Sequence, residues 1–197
     1  MVAVVAQAHF HNGSQQLAAG QPSNAAHSFQ QAINAGHAEA HAALAFMHYG
    51  TYSNMPKNPS TSFHLASAGA KMGCVHSKGA LADCLMFGVG TAAAVADGLR
   101  MATESADAGS LYGQHVLAVA YQRGRGVPRD EAKAVALFKL AAAQGEVHSH
   151  DWLGMMYDRG LGVERSEVEA LRWWNRAAAL GYEIAIQRLR FRDASST

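Results

Sequence analysis

Apolar residues recur along the chain at helical spacing, in pairs of stretches separated by glycine-rich turns. Leu111, Val116, Leu117, Ala120 and Tyr121 mark one helical face, and Ala134, Val135, Leu137, Phe138, Ala141 and Ala142 mark a second. Between them, Gly124-Arg125-Gly126-Val127-Pro128-Arg129-Asp130 stops the first helix with glycine and starts the next with Asp130 as N-cap. The pattern predicts a helical hairpin. No stretch alternates with the period of two that a half-buried strand requires.

The hairpin is repeated. Gly36, Gly73, Gly109, Gly145 and Gly181 stand 37, 36, 36 and 36 residues apart. After Gly109 come Leu117, Ala118, Tyr121, Gly124, Gly126, Val127, Ala141 and Ala142; at the same offsets after Gly145 come Leu153, Gly154, Tyr157, Gly160, Gly162, Val163, Ala177 and Ala178. A period of this length marks a stacked solenoid, in which each unit contacts its neighbours and the working surface is extended. The 197 residues are therefore expected to form one all-α domain. Its hairpins fall at approximately 1–36, 37–73, 74–109, 110–145 and 146–181, with a capping helix over 182–192.

The turns vary on this frame. Ser166 with Glu169 has the spacing of a capping box, and Gly88-Val89-Gly90 is followed by Thr91. In the second interval Gly50 opens a longer turn through Asn54, Pro56, Asn58 and Pro59, with Ser60 as the expected N-cap. In the first, Gly20-Gln21-Pro22-Ser23-Asn24 joins a helix ending near Ala19 to one carrying Ala25, Phe29 and Ala32.

Leu153-Gly154, Tyr157, Gly160-x-Gly162-Val163, Ala170, Trp173-Trp174, Ala177-Ala178 and Gly181 together resemble the Sel-one-like repeat, a relative of the tetratricopeptide repeat. The resemblance covers 109–181 closely, 73–109 with departures such as Leu85 for Tyr and Ser105 for Ala, and 36–73 loosely; the first hairpin is more similar to a plain tetratricopeptide unit. It implies a right-handed α/α superhelix that acts as a non-catalytic adaptor. Peptides or partner proteins would be held on the inner surface, which the first helix of each pair makes.

Transferred by offset from each boundary glycine, the groove-facing positions are Glu39, Ala42, Phe46 and Tyr49, then His76, Gly79, Asp83, Met86 and Phe87. They continue with Tyr112, His115, Val119, Gln122 and Arg123, and with His148, Asp151, Met155, Asp158 and Arg159. Gln7, Phe10 and Ser14 would begin this surface, and Ile184 and Gln187 would end it. Aromatic and Met side chains gather at one end and mixed charges at the other, which suits a peptide with apolar anchors and a polar or charged end.

Composition narrows the remaining classes. Hydrophobic residues make up 49% and charged ones 16%, too apolar for a disordered chain, and no apolar run is long enough to span a membrane. The opening Met1-Val2-Ala3-Val4-Val5-Ala6 lacks a basic start, so the chain is expected to be cytoplasmic unless an upstream signal peptide is missing. Cys74 and Cys84 lie ten residues apart on one predicted helix, too far along its axis to pair. Residues 1–70 contain only Glu39 and Lys57 as charged side chains, an almost uncharged surface that a second copy could cover. No Lys/Arg stripe with interleaved aromatics is present, so nucleic acid is not an expected partner.

Eleven histidines raise metal chemistry. His37, His41 and His48 share one helical face, but His48 takes the place filled by Tyr121 and Tyr157, and His41 a packing position, so structural roles are favoured. His115, His148 and Asp151 form the better cluster, since all three should face the groove. No nucleophile elbow, phosphate-binding loop or Cys-x-x-Cys is present; the Gly-x-Gly turns follow helices and recur with the repeat. Cys84 reads as a small core residue. No cofactor is expected. The leading reading is a protein- or peptide-binding adaptor; the alternatives are metal-dependent hydrolysis at His115, His148 and Asp151, and a scaffold self-associating through its N-terminal hairpins.

Overall fold

A computed structural model describes residues 2–49 and 56–195. Eleven helices follow one another among these residues: α1 (Val2–Ala18), α2 (Pro22–Asn34), α3 (Ala38–Met47), α4 (Pro59–Lys71), α5 (Val75–Phe87), α6 (Val95–Asp107), α7 (Leu111–Arg123), α8 (Glu131–Ala143), α9 (Val147–Arg159), α10 (Glu167–Ala179) and α11 (Glu183–Ser195). Among the described residues there is no strand. The expected terminal helix over 182–192 runs a turn further, and the opening of the long turn, 50–55, lies outside the described residues.

Caps fix where the helices begin. Asp130 accepts from the Lys133 N–H at 2.9 Å and Ser166 from the Glu169 N–H at 3.3 Å, as expected. Only half of the capping box forms, because the Glu169 carboxylate turns to Arg172 instead of reaching back. The cap of α4 is Asn58 and not Ser60: the Asn58 carboxamide oxygen accepts from the Thr61 N–H at 3.1 Å, and Pro59 occupies the first helical turn.

The second glycine of each Gly-x-Gly turn joins one hairpin to the preceding one. Gly162, at φ +68°, presses on the main chain of Glu131 and Ala132 at the start of α8. Gly90 lies in the same way on the main chain of Pro59 and Ser60, and Gly126 on the side chains of Val95 and Leu99. Any side chain at Gly162 would both strain the backbone and push this contact apart. Buried hydroxyls add to the stacking, with Ser62 donating to the Ala45 carbonyl at 2.9 Å and Ser105 to that of Val75 at 2.6 Å.

Within a hairpin, a small residue on the first helix receives a large one from the second. Gly154 on α9 accepts the indole of Trp174 from α10, and Gly13 on α1 accepts the ring of Phe29 from α2. A methyl group at Gly154 would collide with the indole nitrogen. Gly154→Ala is therefore expected to lower stability by about 1–3 kcal/mol through overpacking, although alanine favours helix. Chemical denaturation of the two proteins measures the difference, and an unchanged midpoint would remove this contact from the account.

The core is a series of local clusters, as expected when each unit packs only on its neighbours. Phe29, Leu44 and Met47 centre the first, Met86 and Val116 the second, Phe138, Leu153 and Met156 the third, and Trp174, Tyr182 and Ala185 the last. The stack curls tightly. Phe46 of α3 stacks on Tyr112 of α7 with ring centroids 4.1 Å apart, and its ring lies 6.1 Å from that of His148 on α9. The turn at Gly20 packs against Gly181, bringing the first hairpin to the last.

Candidate functional site

Where the first and last hairpins approach each other, a cavity of about 440 Å³ opens. Phe10, Ser14, Leu17 and Ala18 of α1 form one wall, with Phe29 behind; Glu39, Ala43, Phe46 and Met47 of α3 form the next. Leu111 and Tyr112 of α7, the segment Gln144–His148 and Leu180 complete it. Three of the positions chosen from sequence as the groove's binding residues, Phe46, Tyr112 and His148, line this cavity, as do Glu39, Phe10 and Ser14 from the wider concave set.

A buried carboxylate that the sequence pattern did not single out also lines the cavity. Glu146 is the N-cap of α9, with a side chain only 2% exposed. One oxygen accepts from the Ser149 N–H at 2.6 Å and from His115 Nδ1 at 3.0 Å. The other accepts from the His148 N–H at 3.1 Å and from His148 Nδ1 at 2.7 Å. His115 belongs to α7, so this carboxylate ties two successive units together. Burial alone would raise the Glu146 carboxyl, but the His115 and His148 rings hold it well below the usual carboxylate range. His148 is raised above the ordinary histidine value; burial opposes this, and the Glu146 carboxylate outweighs it. The position carried a legible signal, since the residue after a boundary glycine also caps a first helix through its side chain at Cys74 and Ser110, though not at His37.

The alternative metal site of His115, His148 and Asp151 is not assembled. Asp151 does not join His115 and His148; its carboxylate is buried and pairs with Arg188 of α11 at 3.0 Å. Burial raises the Asp151 carboxyl, and Arg188 offsets part of the shift. Among the described residues no group of three or more His, Cys, Asp or Glu side chains is arranged to hold a metal ion. The His37, His41 and His48 stripe disperses likewise: His37 stacks on Phe10 at 4.3 Å, His41 is buried, and His48 Nδ1 lies 3.4 Å from the Pro56 carbonyl oxygen.

The other groove positions divide between the core and the surface. Met86 is fully buried and packs on Gly98 of α6, so it takes no partner side chain. Asp83 is buried beneath the Tyr49 hydroxyl; burial raises the Asp83 carboxyl and the Tyr49 phenol alike. Ala42, Gly79 and Val119 are buried as well, and burial pushes the Cys84 thiol up to about 12. His76 Nδ1 lies 3.0 Å from Ser110 Oγ, and its ring stands edge-on to Tyr112. Arg123 stands exposed, its guanidinium 5.5 Å from the ring centres of both Phe87 and Trp152. Gln122 is half-buried beside it. Met155 takes an Arg188 N–H at its sulfur, Asp158 pairs with Arg192 at 2.8 Å, and Arg159 stands exposed. Ile184 is 45% exposed, whereas Gln187 bonds to Glu183 and Gln7 to His37.

The Sel1 repeat model matches residues 38–74, 111–146 and 147–182, together more than half of the chain, and the protein belongs to the Sel1 repeat family. The second interval, where the resemblance is loose, is matched, while the third is not. A Sel1 repeat protein from Oxalobacter formigenes has 28% identity and a TM-score of 0.53 over 84% of this chain and 48% of its own. A protective antigen of uropathogenic Escherichia coli strains, displaying an SLR fold, has 27% identity and a TM-score of 0.54 over 91% of this chain and 39% of its own. The chain thus spans about half or less of the length of these two relatives. A Sel1 repeat protein of Klebsiella pneumoniae subsp. pneumoniae has the same fold at 23% identity, with a TM-score of 0.62 over 93% of this chain and 90% of its own. No curated protein matches. Sel1 repeat folds are generally protein–protein interaction modules and are typically non-catalytic. Among the described residues no helix is long and apolar enough to cross a membrane.

Proposed function

We propose that this protein is a non-catalytic adaptor that holds a partner protein or peptide on its concave side, with the cavity between the first and last hairpins as the anchoring point. The observation that carries this reading is the cavity itself: Phe10, Leu17, Phe46, Tyr112 and Leu180 offer apolar and aromatic surface in a concave setting. Such surface is where a few side chains of a partner contribute most of the binding energy. Buried groups such as Asp83 and Met86 support the walls instead of contacting a partner. The reading keeps Tyr49, Phe87, Gln122, Arg123 and Arg159 as a second stretch of contact along the same side.

Filling the cavity tests this. Ala43 lines it from α3, so Ala43→Trp would occupy the space a partner side chain needs. Lys139→Ala, on α8, removes a cation that leans over Tyr157 and serves as the control. With a partner purified from the native host, calorimetry at fixed salt should show at least about a tenfold loss for Ala43→Trp, the weight of one anchor residue, and little change for Lys139→Ala. Equal affinities for the wild type and the filled cavity would refute the reading.

A further inference from the structure

The charges around the cavity narrow the chemistry of what enters it, if the cavity is the anchoring point proposed above. We infer that the cavity selects a partner segment in which an apolar side chain is followed by a Lys or Arg, whose cation pairs with Glu39.

No Lys or Arg lines the cavity, although the chain contains 16 of them. Two carboxylates do, and they differ. Glu146 is saturated by two main-chain N–H groups and two histidine rings, so its charge is answered within the fold. Glu39 is exposed, and no ion pair holds it among the described residues. It is also one of only two charged side chains in residues 1–70, so the walls that α1, α2 and α3 supply present a single unanswered charge beside apolar surface. Low-dielectric walls strengthen the attraction of a cation to such a carboxylate relative to open water, and they penalise an anion by the same argument. The volume is in the range of side-chain and small-ligand sites and too small for a whole helix. An extended segment that inserts one apolar side chain and lays the next, cationic one across the mouth satisfies both the volume and the charge.

Two amide-capped peptides test this on the full chain: acetyl-Leu-Phe-Leu-Lys-amide and the same peptide ending in Glu. Binding is followed by ¹⁵N-resolved NMR at low salt, so that the shifted amides locate the site. The Lys peptide should shift amides around Phe46, Tyr112 and Leu180 and bind at least about fivefold more tightly than the Glu peptide, the upper range for a partly exposed ion pair. Glu39→Gln should remove that discrimination while leaving the apolar contact. Because Glu39 lies in the first turn of α3, its loss also costs a little helix stability, and the melting temperature of the variant is recorded alongside. Equal binding of the two peptides, or discrimination that survives Glu39→Gln, overturns the charge assignment. Shifts that map away from the cavity, or no binding by either peptide, overturn the inference as a whole. The adaptor reading fails separately, by a natural partner that ignores Ala43→Trp.

Discussion

Replacing Glu146 by alanine is expected to destabilise the protein by about 3–5 kcal/mol, the range for breaking a buried ionic cluster by removing one partner. The substitution removes the acceptor of His148 and of the first N–H groups of α9, and of the two polar contacts that His115 of α7 makes to this turn it keeps only the one to Ser149 Oγ at 2.9 Å. Glu146→Gln keeps the volume and isolates the charge. Its pH dependence has a defined sign. Glu146 is held below its ordinary value of 4.5, so it adds stability that is lost as pH falls through its folded-state value. His148 is raised above 6.5, so its contribution is fully present below that value and is lost as pH rises through its folded-state value. The two contributions are together complete between about pH 4.5 and 6.5, from the ordinary values of the two groups. The shifts of Asp83, Asp151 and His150 are present in both proteins and largely cancel in the difference. Urea unfolding near pH 5.5 and near pH 8 should therefore give a larger gap between wild type and Glu146→Gln at the lower pH. A gap that widens toward pH 8 would reverse the assignment.

Removing residues 182–197 should produce an effect of similar or greater size. Tyr182 and Ala185 are buried against the last hairpin, and Trp174, only 3% exposed, loses its cover without them. The truncation also strands Asp151 and Asp158, whose partners Arg188 and Arg192 lie on α11. Solenoids depend on such terminal elements because an interior hairpin cannot leave its apolar face to water. A melting temperature lower by at least about 10 °C, or aggregation, is expected from losing one large buried contact and one buried charge partner. Arg188→Ala should reproduce only part of the loss. A truncated chain with unchanged melting and solubility would show that α11 does not cap the stack.

The sequence made the solenoid legible because its repeated residues serve the scaffold itself. Gly162 and Gly154 recur or vary for steric reasons that read directly as turn and close approach, and Asp130 and Ser166 announce helix starts. The inner surface was harder to read. Offsets place a side chain on a helix face, but whether that face is open depends on curvature, and the tight curl that sets Phe46 against Tyr112 also brings α1 opposite α9. No local pattern specifies that meeting. Met86 and Asp83 hold groove offsets yet are buried, because neighbouring helices close over them. Glu146 was overlooked for a different reason: its position after a boundary glycine reads as a cap, and only the stacking of α9 on α7 gives that cap two histidines.

The account stands on the concave side being the working surface, and site-specific photo-crosslinking in the native host tests that most directly. Benzoylphenylalanine placed at Leu17, in the cavity wall, is compared with the same group at Leu140, which is 54% exposed on α8. The prediction is a covalent adduct with one partner protein from Leu17 and none from Leu140. An adduct from Leu140 with none from Leu17 would contradict it.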